Sequence, residues 1–386
     1  MSATASKNEL TMVAMSGGVD SSVAALRLKQ QGRAVAGMFM KNWEEDDRFG
    51  HCAAAEDARD ALSVAESIGI TLHRRNFSAE YWDFVFENFL SEYRDGRTPN
   101  PDILCNREIK FRTFVEHARD LGAERIATGH YARSDQHQGL YRLLRGRDGD
   151  KDQSYFLYTL GQEQLSCTEF PVGELRKPQV RSMAAEAGIH VHAKKDSTGI
   201  CFIGERNFKM FLAEYLTAQP GEIRTPEGHV IGEHQGLMFH TLGQRQGLGI
   251  GGVRGYADAP WYVLHKDIEE NALYVGQNHD HPWLFSTTLG GSRLSWVAGV
   301  APETGSRLQA QVRYRQKPQA CVVSEIGADR LSLAFEQPQW AVTPGQSVVL
   351  YADDVCLGGA VIDESNAPPA CARSEATINT PGPEPS

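Results

Sequence analysis

The sequence has no apolar run near the roughly 18 residues that a helix needs to span a bilayer, which excludes a membrane-embedded protein. Residues 1–10 lack the basic start and apolar stretch of a secretory signal, so we expect a cytoplasmic protein with reduced thiols. The seven cysteines form no C-x-x-C pair, which argues against a zinc knuckle or a secreted disulfide framework. With 39 basic against 49 acidic residues, a nucleic-acid partner would need locally concentrated Lys and Arg.

The chain is long enough for two or three domains, since its 386 residues exceed the usual domain size of about 150. Strand-like runs at residues 10–15, 34–40 and 71–77 alternate with helical patterns, which predicts an α/β domain with a parallel sheet. A ligand of such a domain binds beyond the carboxyl ends of the strands. Met15, Met40 and residues 128–131 should meet there.

The predicted secondary structure changes twice in the rest of the chain. Glycine and short strand signals follow Pro220, and alternating strands with turns run from residue 289 to residue 362. The sequence thus predicts an α/β domain over 1–206, a small central domain over 207–285 and a β-barrel over 286–362. Residues 363–386 contain five prolines and few large apolar residues, so we expect a disordered tail.

The motif S-G-G-V-D-S at residues 16–21 is the most specific functional signal in the sequence. It lies after a strand and opens a helix, where glycine N–H groups, serine hydroxyls and the helix dipole can hold a phosphate. Asp20 could bind the magnesium that accompanies a nucleotide. The alternative is an ordinary glycine turn with a capped helix. The chain has no G-x-x-x-x-G-K-[ST], so this is not a Walker loop.

Two cysteines lie in motifs that suggest reactivity. Cys105 follows the stiff T-P-N-P segment and is expected at a helix N-terminus, with Arg107 and Lys110 nearby to favour a thiolate. Asp102, three residues earlier, could donate or accept a proton. Cys201 lies in a separate S-T-G-I-C loop. Two unrelated buried thiols remain an equal alternative on these residues alone.

Eight motifs in order extend these observations over the chain: SGGVDSS, GMFMKNW, TPNPDILCNREIKF, ATGHYAR, KDQSYFLY, STGICFIGERNF, HTLGQRQGLGIGG and RYRQ. Together they resemble the bacterial tRNA-specific 2-thiouridylase family, the MnmA type, of the PP-loop ATP pyrophosphatase superfamily. The resemblance runs from about residue 10 to residue 362. It implies a PP-loop, adenine nucleotide alpha hydrolase-like domain followed by a central and a barrel domain that both bind tRNA.

The resemblance also implies an activity and its participants. Family members use ATP to adenylate the C2 oxygen of the wobble uridine, U34, and then transfer sulfur from a cysteine persulfide, releasing AMP and pyrophosphate. It implies ATP with Mg²⁺ as cofactors. The implied partners are the tRNAs for Lys, Glu and Gln and a protein that donates the persulfide.

Residue roles follow from the matching motifs. Cys201 would carry the persulfide, Cys105 would be the partner thiol that can form a transient disulfide with it, and Asp102 would be the acid/base residue. The residues expected to bind ATP are Ala14, Met15, Ser16, Gly17, Gly18, Val19, Asp20, Ser21, Met40 and Gly129. The residues expected to hold the target base or contact tRNA are Asn100, Pro101, Asp102, His130, Lys151, Asp152, Gln153, Arg313, Tyr314 and Gln346.

Three alternatives stay open at this point. A PP-loop ligase that forms a C–N bond would share the phosphate motif but would not need a cysteine pair. A non-catalytic RNA-binding protein would predict the loss of Asp20, Cys105 or Cys201, and all three are present. An iron–sulfur cluster would require further cysteine ligands beyond the two with motif support.

The segment around Arg313 is the predicted basic surface of the barrel. Strand alternation places Arg313 and Arg315 on the face opposite Val312 and Tyr314, so we expect both arginines to face solvent and reach RNA phosphates, unless Tyr314 lies at a strand end and turns outward to stack. The alternative is a solvated face of the barrel that binds no RNA.

Overall fold

The computed structural model describes residues 9–44, 53–196 and 208–367. Within these ranges the chain forms a parallel sheet with helices, a small four-stranded sheet and a closed barrel. The strands, in chain order, are β1 (Leu10–Ala14), β2 (Ala34–Lys41), β3 (Thr71–Asn76), β4 (Arg125–Ala127), β5 (Ala132–His137), β6 (Leu140–Arg145), β7 (Thr168–Glu169), β8 (Gly221–Arg224), β9 (Val230–His234), β10 (Trp261–Asp267), β11 (Ala272–Gln277), β12 (Phe285–Trp296), β13 (Arg307–Gln311), β14 (Gln319–Ile326), β15 (Leu331–Trp340), β16 (Ser347–Ala352) and β17 (Val355–Ser365).

Helices are concentrated in the first half of the chain. They are α1 (Val19–Gln30), α2 (Ala53–Ile68), α3 (Ser78–Tyr81), α4 (Glu87–Arg94), α5 (Pro101–Leu104), α6 (Phe114–Asp120), α7 (Gln162–Cys167), α8 (Lys177–Glu186) and α9 (Phe208–Ala213). A π-helical stretch, Trp82–Phe86, joins α3 to α4, and a second, Cys105–Thr113, joins α5 to α6. Four short 3-10 turns complete the described elements: Ser154–Leu157, His190–Ala193, Leu237–Phe239 and Pro282–Leu284.

The first sheet is parallel and has the order β3-β2-β1-β4-β7, which confirms the predicted α/β domain. Alternate residues of β1 face opposite layers because side chains along a strand alternate in direction. Met12 packs with the aromatic core that contains Phe86 and Phe114, whereas Val13 packs with Val23 of α1. Burial of β1 on both faces is typical of a central parallel strand.

The barrel consists of six antiparallel strands in the ring order β12-β15-β14-β13-β16-β17, with β17 paired back to β12. Its interior holds alternate residues of each strand, such as Leu289, Val323 and Val348. The hairpin β5–β6 from the first half of the chain extends this sheet, because Val355 of β17 pairs with Leu144 of β6. The central sheet, in the order β10-β11-β8-β9, has its own small core around Val263 and Leu273.

Two of the predicted boundaries lie in or beside described parts of the chain. Strand β17 continues to Ser365, and Asp363 accepts a hydrogen bond from Arg97, so ordered chain extends past residue 363 where the tail was expected to begin. Residues 368–386 lie outside the described residues. Helix α9 was predicted within the central domain, but Phe211 and Leu212 join the aromatic core of the first sheet. The same core also contains Met238 and Phe239, so packing does not separate α9 from the central domain, and this boundary stays a prediction.

Candidate functional site

The segment after β1 forms a cradle of hydroxyl and N–H groups. The Ser16 N–H donates to Ser21 Oγ at 3.2 Å, and the Ser21 and Ser22 hydroxyls donate to Gly18 O at 3.1 Å and 2.8 Å. Gly18 is the N-cap of α1 and is not capped by a side chain, so the helix N-terminus stays available to an anion. A phosphate bound at this helix N-terminus stays a prediction from the motif.

Two glycines are required by close approaches in this cradle. Gly17 has φ of +75°, and a Cβ there would lie 2.4 Å from the carbonyl oxygen of Asp57 in α2. A Cβ on Gly129, which follows β4, would lie 2.6 Å from the backbone nitrogen of Ser21. The loop after β4 thus lies directly against the start of α1, as the carboxyl ends of adjacent parallel strands predict.

Asp20 is held by partners that sequence reasoning missed. Lys177 Nζ, at the start of α8, donates to both carboxylate oxygens of Asp20 at 2.8 Å, and the Tyr131 hydroxyl donates to Oδ1 at 2.7 Å. The pKa of Tyr131 is raised by burial and by this carboxylate. Lys177 is separated from Asp20 by 157 residues and belongs to no motif, so the sequence offered no signal for the pair.

A second carboxylate, Asp196, extends this network. Asp196 Oδ1 lies 2.6 Å from Lys177 Nζ, and its Oδ2 accepts from Lys151 Nζ at 2.6 Å. Arg181 lies 3.4 Å away. Burial pushes the pKa of Asp196 upward, but hydrogen bonds from Lys151 and Lys177 outweigh it and hold that pKa below its usual value. Asp196 is therefore an ionised residue among three cations.

The thiol lies on a helix, although not at the position expected. Asn100 caps the helix by accepting from the Asp102 N–H at 3.2 Å, and Pro101 takes the first helical position, for which its fixed φ is suited. Helical structure thus begins at Pro101, and Cys105 is its fifth residue rather than its N-terminus. Cys105 is buried and opens the π-helical stretch Cys105–Thr113, a rare geometry that is frequent at functional sites.

Electrostatics near Cys105 involve Asp102, Lys110 and His130. Burial raises the pKa of the Asp102 carboxyl, and the charge of Lys110 partly opposes this rise. Burial lowers the pKa of His130 well below its usual value, with Lys110 adding to the effect. His130 is therefore neutral near pH 7, and its Nδ1 shares a 2.8 Å hydrogen bond with Thr128 Oγ1. A carboxyl with a raised pKa is suited to proton transfer near neutrality.

One polar atom beside Cys105 has no hydrogen-bond partner within the described part of the chain. Asn106 is buried, and its Nδ2 donates to Phe156 O at 3.1 Å, whereas its Oδ1 is unsatisfied. Buried polar atoms without partners are uncommon, and in a site they indicate a place for a ligand group. Neither the motif nor the cysteine spacing had indicated Asn106.

The loop after β4 connects the cradle to the helical segment 101–113, which bears Asp102 and Cys105 and is called the thiol helix below. Gly129 contacts the start of α1, and the ring of the next residue, His130, lies 5.9 Å from the ring of Phe111 in the thiol helix. The cradle and the helix of Asp102 and Cys105 thus share one loop as their common wall. This arrangement can place a nucleotide phosphate beside a second substrate.

Several residues expected to contact tRNA have side chains that are hydrogen-bonded to other protein groups. Lys151 binds Asp196, and Gln153 Oε1 accepts from the Tyr131 N–H at 2.9 Å. Asp152 is directed inward, with 9% of its side chain exposed and with hydrogen bonds from Gly146 N and Ser154 N. Burial raises the pKa of Asp152, and these hydrogen bonds oppose the rise.

The expected exposure of Arg313 is wrong. Strand β13 ends at Gln311, and residues 312–316 turn back because the Val312 N–H donates to Gln316 Oε1 at 2.9 Å. The Arg313 guanidinium is consequently held inside, where it donates to Leu242 O at 3.1 Å and to Thr343 Oγ1 at 2.9 Å. Arg313 joins the central sheet region to the barrel. Arg315 is exposed, as expected.

Tyr314 and Gln346 frame the thiol helix from the barrel side. The Tyr314 ring lies 4.3 Å from the ring of Phe156, whose carbonyl binds Asn106. Gln346 Nε2 donates to Thr98 O at 2.8 Å, so it holds the T-P-N-P segment in front of Asp102. Cys201 lies outside the described residues, so its pairing with Cys105 stays a prediction.

Comparison with known proteins identifies the family of the chain. The sequence matches three families that are described as the tRNA methyl transferase HUP domain over residues 9–205, the tRNA methyl transferase PRC-barrel domain over 209–277 and the aminomethyltransferase beta-barrel domain over 286–362. A protein of Methylococcus capsulatus named tRNA-specific 2-thiouridylase MnmA is 63% identical over 354 residues, which are 91% of this chain and 95% of that protein. The chain belongs to the MnmA family of tRNA-specific 2-thiouridylases.

A second relative is similarly close, whereas the likeness to a solved structure is weak. A Pseudomonas aeruginosa PAO1 protein of the same name is 59% identical over 366 residues, covering 95% of this chain and 97% of that protein. A solved structure described as a 4-thiouridine synthetase–RNA complex with bound ATP overlaps with a TM-score of 0.35 and 19% identity, covering 53% of this chain and 49% of that one. Among the described residues, no helix is both long and apolar enough to cross a membrane.

Proposed function

We propose that this protein catalyses the ATP-dependent 2-thiolation of the wobble uridine, U34, of tRNA in the cytoplasm. Besides family membership, one structural observation supports the proposal. The proposed phosphate cradle and the helix bearing Asp102 and Cys105 both contact the loop after β4. A nucleotide in the cradle and a uridine at the helix would therefore meet across that loop.

ATP would bind at the edge of the first sheet, in the cradle formed by residues 14–21 with Met40 and Gly129. Cleavage between the α- and β-phosphates releases pyrophosphate, and N–H and hydroxyl groups of the cradle would stabilise its charge. Asp20 is the carboxylate that would hold Mg²⁺ arriving with ATP, since Mg²⁺ is commonly bound by one or two carboxylates together with substrate phosphates. Its present partner Lys177 would then turn toward the nucleotide.

Adenylation of the uridine requires a proton acceptor. When the C2 oxygen attacks the α-phosphate, the N3 proton of the uracil ring must leave, and Asp102, whose pKa is raised by burial, would take it. Asn106 Oδ1, unsatisfied among the described residues, would accept a donor of the substrate. The C2 oxygen then becomes part of a leaving group, AMP.

Sulfur transfer would follow in two displacements. The terminal sulfur of a persulfide on Cys201 attacks C2 and expels AMP, leaving a Cys201–S–S–C2 linkage. The Cys105 thiolate attacks the Cys201 sulfur, which forms a Cys105–Cys201 disulfide and releases the 2-thiouridine. A cellular thiol reductant restores the two thiols, and a persulfide-carrying protein reloads Cys201. Asp102 returns its proton to N3.

The tRNA would lie across all three parts of the chain. Lys151 and Arg315 offer cations, Tyr314 offers a ring, and Asn100 with Pro101 shapes the base pocket. We propose the tRNAs for Lys, Glu and Gln as substrates. Arg313 and Gln346 would act by holding the T-P-N-P segment and the barrel together, because their side chains bind protein groups.

The test is formation of 2-thiouridine. Purified protein, Mg²⁺–ATP, a persulfide donor and unmodified tRNA are incubated, and the digested nucleosides are measured by mass spectrometry. We expect product from the native chain and none from Cys201→Ser or Cys105→Ser, with protein-bound sulfur still gained by Cys105→Ser. Cys167→Ser is the matched control, since the Cys167 thiol donates only to carbonyls of its own helix, which a serine can also do. Product from both active-site variants would reject the proposal.

A further inference from the structure

Lys177 and Lys151 come from distant parts of the chain, yet one carboxylate binds both. Lys177 Nζ has three donors: two are directed at Asp20, and the third lies 2.6 Å from Asp196. Lys151 Nζ donates to the other oxygen of Asp196 at 2.6 Å. The Lys177 side chain is 9% exposed, so its charge would be costly without these partners.

The position of Asp196 is itself fixed from the protein side. Arg181 of α8 lies 3.4 Å from Asp196 and also donates to the carbonyl oxygens of His192 and Lys194 at 2.8 Å and 3.0 Å. Lys194 in turn binds Asp57 of α2 at 2.8 Å. The chain leading to Asp196 is thus attached to two helices that flank the cradle.

The two lysines face different anionic ligands. Lys177 is bound to Asp20 at the start of α1, where the nucleotide phosphates are proposed to lie, and Lys151 belongs to the K-D-Q segment proposed to contact tRNA. Each ligand brings phosphate oxygens that compete with a carboxylate for a lysine ammonium group. Asp196 occupies the position from which it competes with both ligands.

We propose that Asp196 is a positioning residue that serves as the internal counter-ion of Lys177 and Lys151. It holds both ammonium groups in place before the ligands bind, and it yields each of them to phosphate when a ligand arrives. The inference rests on the proposed function for the identity of the ligands. It adds a residue that acts through the two lysines and links the nucleotide end of the site to the tRNA end.

The role predicts a specific split between binding and turnover. Asp196→Asn removes a negative charge beside both ligands, so affinity for each should rise, because an unpaired lysine binds phosphate without a competitor. The same change leaves the lysines without their positioning partner, so turnover should fall roughly 10- to 100-fold. Damage to packing alone would lower affinity and turnover together.

The experiment measures binding and turnover separately. Binding of α,β-methylene-ATP, which cannot be cleaved between those phosphates, and of an unmodified tRNA transcript is titrated for the native chain and Asp196→Asn. We expect the variant to bind the nucleotide roughly three- to tenfold more tightly. The slope of log Kd against log salt for tRNA should become steeper by about 0.7 to 0.9.

Two further variants make the test decisive. Asp60→Asn is the matched control, because Asp60 also binds a lysine, Lys194, on the same segment but does not contact Lys177 or Lys151. It should leave both affinities unchanged. Asp196→Glu keeps the charge and should keep native affinities. Unchanged or weaker binding of either ligand by Asp196→Asn would overturn the inference, whether or not the native chain makes 2-thiouridine.

Discussion

The proposed nucleotide end and the proposed base end of the site differ in how their polar groups are satisfied. At the nucleotide end, both oxygens of Asp20 and all donors of Lys177 have partners within the protein. At the base end, Asn106 Oδ1 is unsatisfied among the described residues and burial raises the pKa of Asp102. A nucleotide at the proposed site would therefore have to displace internal ion pairs, whereas a uridine at the proposed base end would supply a hydrogen-bonding group that Asn106 Oδ1 lacks.

Asp20→Ala should have the largest effect because it removes the centre of the nucleotide end. Lys177 would lose two of its hydrogen bonds and the proposed Mg²⁺ carboxylate would be gone, so pyrophosphate release should fall by at least about a thousandfold. The affinity for tRNA should change little, since Asp20 lies in the cradle. A native rate of pyrophosphate release from this variant would contradict the assignment of the cradle.

Asp102→Asn tests the base end. Pyrophosphate release in the presence of tRNA should fall roughly 10²- to 10⁴-fold, because a general base is lost. In the native chain the rate should rise with pH through the Asp102 pKa, which lies above the usual carboxyl value of 3.8. That limb of the pH–rate profile should vanish in the variant, while nucleotide affinity stays the same.

Stability provides the control for Asp102→Asn. A pKa that is raised in the folded state means that the stability contribution is present at low pH and is lost as pH rises through that value. Asparagine cannot ionise, so it avoids the free-energy cost of burying the Asp102 carboxylate at pH 7. At that pH the variant should therefore be at least as stable as the native chain. A large drop in Tm would indicate structural damage instead.

Arg313 and Arg315 are neighbours in the turn after β13 with opposite surroundings, and they give the smallest expected effects on chemistry. Arg313→Ala should lower the free energy of unfolding by about 2 to 4 kcal/mol, because it orphans Leu242 O and removes the bond to Thr343. Arg315→Ala should change stability by less than about 0.5 kcal/mol.

The two substitutions should affect tRNA binding in the opposite order, with the larger effect from Arg315→Ala. Arg315→Ala should flatten the salt dependence of tRNA binding by about 0.7 to 0.9 units of log–log slope, and Arg313→Ala should flatten it less. Denaturant unfolding and salt titrations provide both measurements. Equal salt slopes for the two variants would mean that Arg313 leaves its protein partners to bind RNA.

The sequence predicted features that depend on neighbouring residues. The cradle, the parallel sheet and the barrel follow from motifs and strand periodicity, and the structure confirms the fold. The convergence of Met15, Met40 and the loop after β4 could be expected because parallel strands end at one edge. The roles of these residues toward ATP remain predictions.

What the sequence missed depends on distant contacts or on where an element stops. Lys177 and Asp196 are joined to Asp20 only by folding, and no spacing signals them. Arg313 was placed on a strand that in fact ends two residues earlier, so its side chain turns inward. Cys105 was placed at a helix start, although Pro101 begins that helix four residues before it.

In the proposed reaction, the uridine C2 oxygen attacks the α-phosphate across the loop after β4. Transfer of oxygen from tRNA that carries oxygen-18 at C2 of U34 tests this step. A single turnover with Mg²⁺–ATP and persulfide-loaded protein should transfer the label, so that the released AMP carries one oxygen-18 atom while the nucleoside becomes 2-thiouridine. AMP without the label, released alongside 2-thiouridine, would contradict adenylation at C2.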